Sequence, residues 1–413
     1  MPVRAAAARR ALQTAAPGAL TVCCSRHPRT LAPRRPRASG DGREERITGA
    51  CSTHVPRTCF AAALTPRTPL PRHPSRTPRG AAEGDLKGLS ARVAALRATE
   101  IAADARTAAN WRVGRVTQRT VTVLSDYVRR LRFCGDTLAV GTYGGEVHLI
   151  NVPTGRVVRT LAGLTAEVTA LDFDGASVAA GSLDGGVCRW DAGSGAGGEV
   201  ARHAGEAVTA VALQGPGVVV ATAGGAVAAH GCLGNRQLAV DAPVCCLQRA
   251  GRYTAAGLAD GRVVVWAGAA GEADAADAPL LTRQILAFTA HAAPVLCLQL
   301  LSADADPAEP ATRLATGGGD GVVCVWDLSA GGAPVRRLTA HRAPVTCLQA
   351  DGGKLVSGGR DGAIRVFDLV SGQQRFAIGG HTAYLDALQF DGGRLIASGT
   401  NNLVMLHDFS GAE

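Results

Sequence analysis

Two sets of residues in this chain of 413 residues have the types and order that chemistry needs: His291, Thr316 and Asp320, and then His341, Ser357 and Asp361. Each joins an imidazole, a hydroxyl and a carboxylate. In nucleophilic acyl transfer the imidazole would take the hydroxyl proton while the acid orients the ring. A third, partial set is His381 with Ser398, and Asn401 or Asn402 stands where the acid would be. The hydroxyl and the acid recur at intervals of about forty residues, the length of a repeat unit rather than of a unique site. No G-x-S-x-G elbow, H-E-x-x-H helix or Walker loop accompanies them, so no motif of an enzyme is present. The sets therefore read as a buried relay. Trp326 completes the first one, and Phe367, which donates nothing, stands at that place in the second.

The elements that position these residues are visible in the same spacing. The acid of each set falls in a slot that recurs at Gly144, Asp184, Gly224, Asp260, Asp320, Asp361 and Asn401. Six residues after each slot come Ile150, Trp190, His230, Trp266, Trp326, Phe367 and His407, so three of the four Trp share one phase. The next residue is Asp at Asp191, Asp327, Asp368 and Asp408, and Asn at Asn151. A period of about 40–45 with such an ending is the mark of a four-stranded propeller blade. The one long interval holds two insertions, at 267–281 and 302–312. Strand order puts both on the bottom face, where Glu272, Asp274, Asp277, Asp304, Asp306 and Glu309 make either an acidic rim or ordinary solvated loops.

These repeats resemble those of WD40 β-propellers. In that family a complete blade buries a His, a hydroxyl, an Asp and a Trp in one hydrogen-bonded chain, because each buried polar group needs a partner or costs about 1–3 kcal/mol. The expected fold is all-β, a seven-bladed WD40 β-propeller preceded by a short helix and a disordered basic tail. The string Asn110-Trp111-Arg112-Val113-Gly114 is similar to the segment that joins linker to propeller in F-box/WD40 proteins. V-x-C-L-Q strings at Cys246, Cys297 and Cys347 resemble that family's first strands. The resemblance, over 86–413, implies that 116–124 serves as the outer strand of the last blade. It also implies a substrate-binding adaptor of an SCF-type ubiquitin ligase, with SCF subunits as further partners where an F-box exists. Upstream, Leu70-Pro71 is followed by more Pro and Arg rather than the helices of an F-box. A general WD40 scaffold unrelated to ubiquitination is the alternative.

Charge separates the chain into parts. Through position 85 there are fifteen Arg against five acidic residues, within a total formal charge of +9. The globular part is thus near neutral, and no nucleic-acid partner is expected. Residues 1–84 hold 11 of the 20 Pro, so they are expected to be a disordered Arg/Pro-rich tail. The Arg- and Ala-rich opening fits an organelle transit peptide, a basic linker or a mis-assigned gene start. Residues 85–115 read as a helical linker, with Leu86, Leu89, Val93 and Leu96 spaced for an amphipathic helix ending near Asn110, and 116–413 as the propeller. No C-x-x-C pair occurs among the 12 Cys, so reduced buried thiols, no metal, no cofactor and a cytoplasmic or nuclear location are expected, with plastid or mitochondrion following from a transit peptide. No apolar run is long enough for a membrane helix.

On a propeller's top face, each blade presents residues around the start of its first strand and before the relay acid. Here these are Tyr127, Arg129 and Tyr143 from blade one, Arg360 from blade six, and Tyr384, Asp386 and Asn401 from blade seven. Blades two to five offer Ala, Gly, Leu, Thr, Pro and Cys. Three of the four Tyr thus share one sector with two Arg, the residue types that dominate protein hot spots. The resemblance implies that top-face Arg holds an acidic or phosphorylated peptide segment by charge-assisted bonds. Asp386 either orients Arg129 or Arg360, or selects a basic residue in the partner.

Overall fold

The computed structural model describes residues 79–231, 236–251, 253–268, 283–302, 311–381, 384–399 and 402–411. The expected tail up to residue 78, most of both insertions, and Asn401 lie outside them.

Each repeat folds into a four-stranded antiparallel sheet, and there are seven such sheets. The first strand of each is largely buried, and Val168–Phe173 is so along its whole length, which suits its Val, Ala, Leu and Phe. The fourth, such as Arg156–Leu161, is largely exposed. Burial therefore falls from the axis outward, and this places the small apolar residues inside. Glycine follows the slot in six blades, from Gly145 (φ 89°) to Gly362 (φ 72°). Only a residue without Cβ takes that left-handed turn at no cost, and a Cβ on Gly321 would meet the His341 carbonyl.

The apolar core is divided into seven wedges, one between each pair of neighbouring blades. The wedge between blades seven and one closes the ring. It joins Val121, Leu131, Phe133 and Ile150 to Ala387, Ile396, Val404 and Leu406. Its Val121 comes from the strand Thr117–Val123, which pairs antiparallel with Leu403–Asp408, Gln118 lying opposite His407. The last blade is thus completed by chain that precedes the first, as expected. A belt of side chains reinforces the ring. Gln299, Gln349 and Gln389 each grip the backbone N–H and C=O of the next blade at Ala350, Phe390 and Phe133, at 2.5–2.9 Å. Gln248 accepts from Leu300 N–H and Asp172 from Leu213 N–H. Blade three has Ala212 at this place, which cannot reach across.

The helix runs from Arg79 to Val113, beyond the expected end near Asn110. Residues 100–413 form the compact propeller unit, and the helix up to Thr99 falls in a second one. Ile101 is 69% exposed, and the end of the helix packs on the propeller. Trp111 stacks on Phe409 at 3.6 Å between ring centres, donates Nε1–H to the Gly392 carbonyl and carries the Lys354 ammonium over its face at 4.6 Å. Asn110 donates to the Phe409 carbonyl. Gly114, at φ 76°, lies against the Phe376 ring where a side chain has no room. The Asn-Trp-Arg-x-Gly string is therefore a plug beneath blades six and seven, and it aims the following strand into the closing blade.

A chain begun at residue 126 lacks both plug and closing strand and leaves two open sheet edges, which invite association. It should elute as aggregate on size-exclusion chromatography, whereas a chain begun at 79 should elute as a discrete species. Equal behaviour would show that closure does not hold the ring.

Candidate functional site

The relay sets take up structural positions. In blade five the His291 Nδ1 lies 3.1 Å from Asp320, its Nε2 lies 2.8 Å from the Thr316 hydroxyl, and Trp326 Nε1–H donates to that hydroxyl at 2.9 Å. In blade six His341 meets Asp361 at 2.9 Å and Ser357 at 2.8 Å. Arg365 adds an ion pair to Asp361 at 2.8 Å, and Phe367 is buried without a polar role. Burial pushes both imidazoles below their usual range, against the pull of the Asp carboxylates. Thr316 and Ser357 are fully buried, so no substrate reaches these hydroxyls. Blades without the acid in the slot are repaired from elsewhere. At Gly144 the vacated space is filled by the Asp126 carboxylate, which accepts from Gly144 N–H at 2.5 Å. At Gly224 it is filled by Glu206, which accepts from Thr222 at 2.6 Å. The acid has moved from the turn to the loop leading into the first strand.

The candidate partner surface depends on a backbone irregularity. Every first strand carries a register shift after its first residue, from Val128/Arg130 in blade one to Leu385/Ala387 in blade seven. Such a bulge re-aims the extra side chain. In blades one and seven the extra residues are Arg129 and Asp386, and both are buried, at 7% and 0% exposure. Arg129 forms an ion pair with Glu167, from the loop leading into blade two, and lies 3.9 Å from Asp386. Next to it Arg130 is 4% exposed and donates to the Arg129 carbonyl. The other blades hold Ala170, Ala210, Cys246, Cys297, Cys347 and Ala387 at the place of Arg130. Burial pushes the Asp386 carboxyl up to about 6, although Arg130, Arg129 and Arg360 all pull it down. Burial likewise lowers Arg130 to about 10, helped by Arg129. Asp386 is fully buried and 3.9 Å from Arg129, and neither of its carboxylate oxygens is hydrogen-bonded among the described residues.

Above this charged floor lie the exposed residues. Tyr127, Tyr143 and Tyr384 are 56%, 57% and 53% exposed. The first two are held together by the bond from Tyr143 N–H to the Tyr127 carbonyl. Arg360 is half-buried and feels the charges of Asp386, Tyr384 and Arg129, which places it in the same sector. Leu183, 49% exposed, extends the patch into blade two. The structure thus brings six of the seven expected residues together, but splits them into a buried floor (Arg129, Asp386) and an exposed rim. Sequence reasoning missed Glu167, Arg130 and Leu183. The signal for Arg130 was available, since an Arg stands in a column of Ala and Cys.

The remaining candidate chemistry is sparse. Cys246, Cys297 and Cys347 are buried free thiols, and Cys246 lies 3.4 Å from the Val295 carbonyl of the next blade. Among the described residues no group of three His, Cys, Asp or Glu is arranged to hold a metal ion. No described helix is long and apolar enough to cross a membrane.

The WD domain, G-beta repeat model matches residues 155–191, 282–327 and 332–368, so the chain carries WD40 repeats in a seven-bladed propeller. Mitochondrial division protein 1 of Mycosarcoma maydis is 43% identical over 79 residues, which is 19% of this chain and 9% of that protein. The chain thus spans about a tenth of that relative's length. The crystal structure of the computationally designed Ika8 protein superimposes with a TM-score of 0.53 at 21% identity, covering 70% of this chain and 99% of that one. That likeness concerns the fold alone.

The floor can be tested without a partner. Asp386→Ala leaves Glu167 as the remaining counter-charge of Arg129 and Arg130, so the cost should stay below the roughly 3–5 kcal/mol of removing a sole buried partner. The midpoint of urea unfolding should fall accordingly. An unchanged midpoint would mean that Asp386 does not stabilise the floor.

Proposed function

We propose that this protein is an interaction adaptor that receives a segment of another protein on the top of blades six, seven, one and two, rather than an enzyme. One observation carries the reading: three of the chain's four Tyr stand exposed beside Arg360 in a single sector. Tyr and Arg anchors in a partly desolvated setting supply most of the energy at protein interfaces. A guanidinium there suits an acidic or phosphorylated segment through charge-assisted hydrogen bonds. The paired acids beneath it keep the floor from becoming a general anion sink.

The adaptor belongs, in this reading, to a ubiquitin ligase of the F-box/WD40 kind. Support comes from the Asn-Trp-Arg-x-Gly plug and from Arg360 in a Gly-x-Arg-Asp string. A scaffold at an organelle is the second reading. It draws on the Arg-rich opening of the chain and on the match to a protein named for mitochondrial division.

Arg360→Ala should weaken partner binding roughly ten- to a hundredfold, the value of a charge-assisted contact of about 1.5–3 kcal/mol. Affinity purification followed by mass spectrometry compares it with the wild type. Loss of the same proteins with Arg360→Ala and with Tyr384→Ala supports the top-face reading, and recovery of ligase subunits among the retained proteins supports the adaptor role. Identical recoveries from all three proteins would move the binding surface elsewhere.

A further inference from the structure

In two blades the Trp of the relay is replaced by His, and both replacements meet a second imidazole. His407 Nε2 lies 3.2 Å from His381 Nε2 in blade seven. His230 Nε2 lies 3.1 Å from His203 Nε2 in blade three. At such distances one ring must donate Nε2–H while the other accepts with its lone pair, so each pair is bonded only when the acceptor is unprotonated. We infer that the His381–His407 pair is an acid-sensitive latch on the closing blade, and that His203–His230 repeats the device in blade three.

The contrast with the intact relays carries the argument. A proton added to His291 would sit against Asp320, whereas His341, which also faces an acid in Asp361, has the Arg365 guanidinium 2.6 Å from the same Nδ1. Among the described residues no acid faces the latch. His407 is completely buried and its Nδ1 has no hydrogen-bond partner among the described residues. The charged groups on the strands around it are engaged elsewhere: Arg119 with the Val152 carbonyl, Arg394 with Asp391 and Asp136, and Asp408 with Ser410. Burial pushes His407 down to about 4, with His381 adding to the effect, and burial lowers His381 too. In blade three burial lowers His203 against a small pull from Glu206, and lowers His230 with help from His203. Glu206 itself is bonded to Thr222, and Arg202 to Glu199 and Asp184.

The direction follows from linkage. A His whose folded pKa lies below its unfolded value contributes its full stability above about pH 6.5 and loses it as the pH falls toward the folded value. The effect lands on the ring closure, because His407 lies opposite Gln118 of the closing strand and opposite Leu395 of the second strand. Acid should thus loosen Thr117–Val123 before the relay of blade five.

Hydrogen exchange of the full chain at pH 7.5 and pH 5.0 tests the latch. Protection factors in 117–123 and 403–408 should drop about thirtyfold, the ratio that a pKa moved from 6.5 to about 4 produces at pH 5.0, while 311–318 in blade five drops less. The variant His407→Phe, copying the residue of blade six, should lose most of this pH dependence. If His407→Phe opens with acid as the wild type does, the latch is wrong. If that variant does not fold, the wild type decides: an equal drop in 117–123 and 311–318 overturns the proposal.

Discussion

Everything in this molecule depends on one pairing, that of Thr117–Val123 with Leu403–Asp408. Each blade is a small twisted sheet that cannot bury its own faces, and the core exists only between blades. A ring of seven such wedges has no free face, but an open chain of six wedges has two. The strand from before blade one supplies the missing surface, with Val121 in the closing wedge. The Trp111 plug sets where that strand begins, so a stacked indole controls the geometry of the last blade. The Gln belt then ties neighbouring blades through backbone groups, with Ala212 in blade three and Arg132 in blade one standing at its place without that grip.

Closure also explains why the top face is asymmetric. Blades two to five carry small or apolar residues at the positions nearest the channel, and the relay acid is replaced from the preceding loop in blades one and three. Asp126 and Glu206 restore the carboxylate lost at Gly144 and Gly224. Blades one and seven instead carry charge at the bulge. Arg129, Arg130, Glu167 and Asp386 together bury four charges across three blades, a poor source of stability compared with an apolar seam. Tyr127, Tyr143, Tyr384 and Arg360 stand on the loops and turns beside this floor.

Much of this was legible in the residues. The period and the turn slots follow from polar groups that must recur in each blade to be satisfied, whereas the closing strand was implied by the resemblance of the Asn-Trp-Arg-x-Gly string. Gln389 and Phe133 illustrate what was not legible: a grip between residues 256 apart has no local signature. Arg129 was placed in the right sector but with the wrong exposure, because its burial depends on Glu167 from a neighbouring blade. The His at the Trp phase was visible in blades three and seven, but that each finds another His required the folded arrangement.

The account rests most heavily on the top sector as the place where a partner is received. Site-specific photocrosslinking tests this directly, with the reactive side chain at Tyr384, at Tyr143, or at Val158 on an outer strand. The account predicts one shared set of adducts from the two top positions, absent at Val158 and lost when Arg360→Ala is added. Adducts at Val158 alone, or top-face adducts indifferent to Arg360, would contradict it.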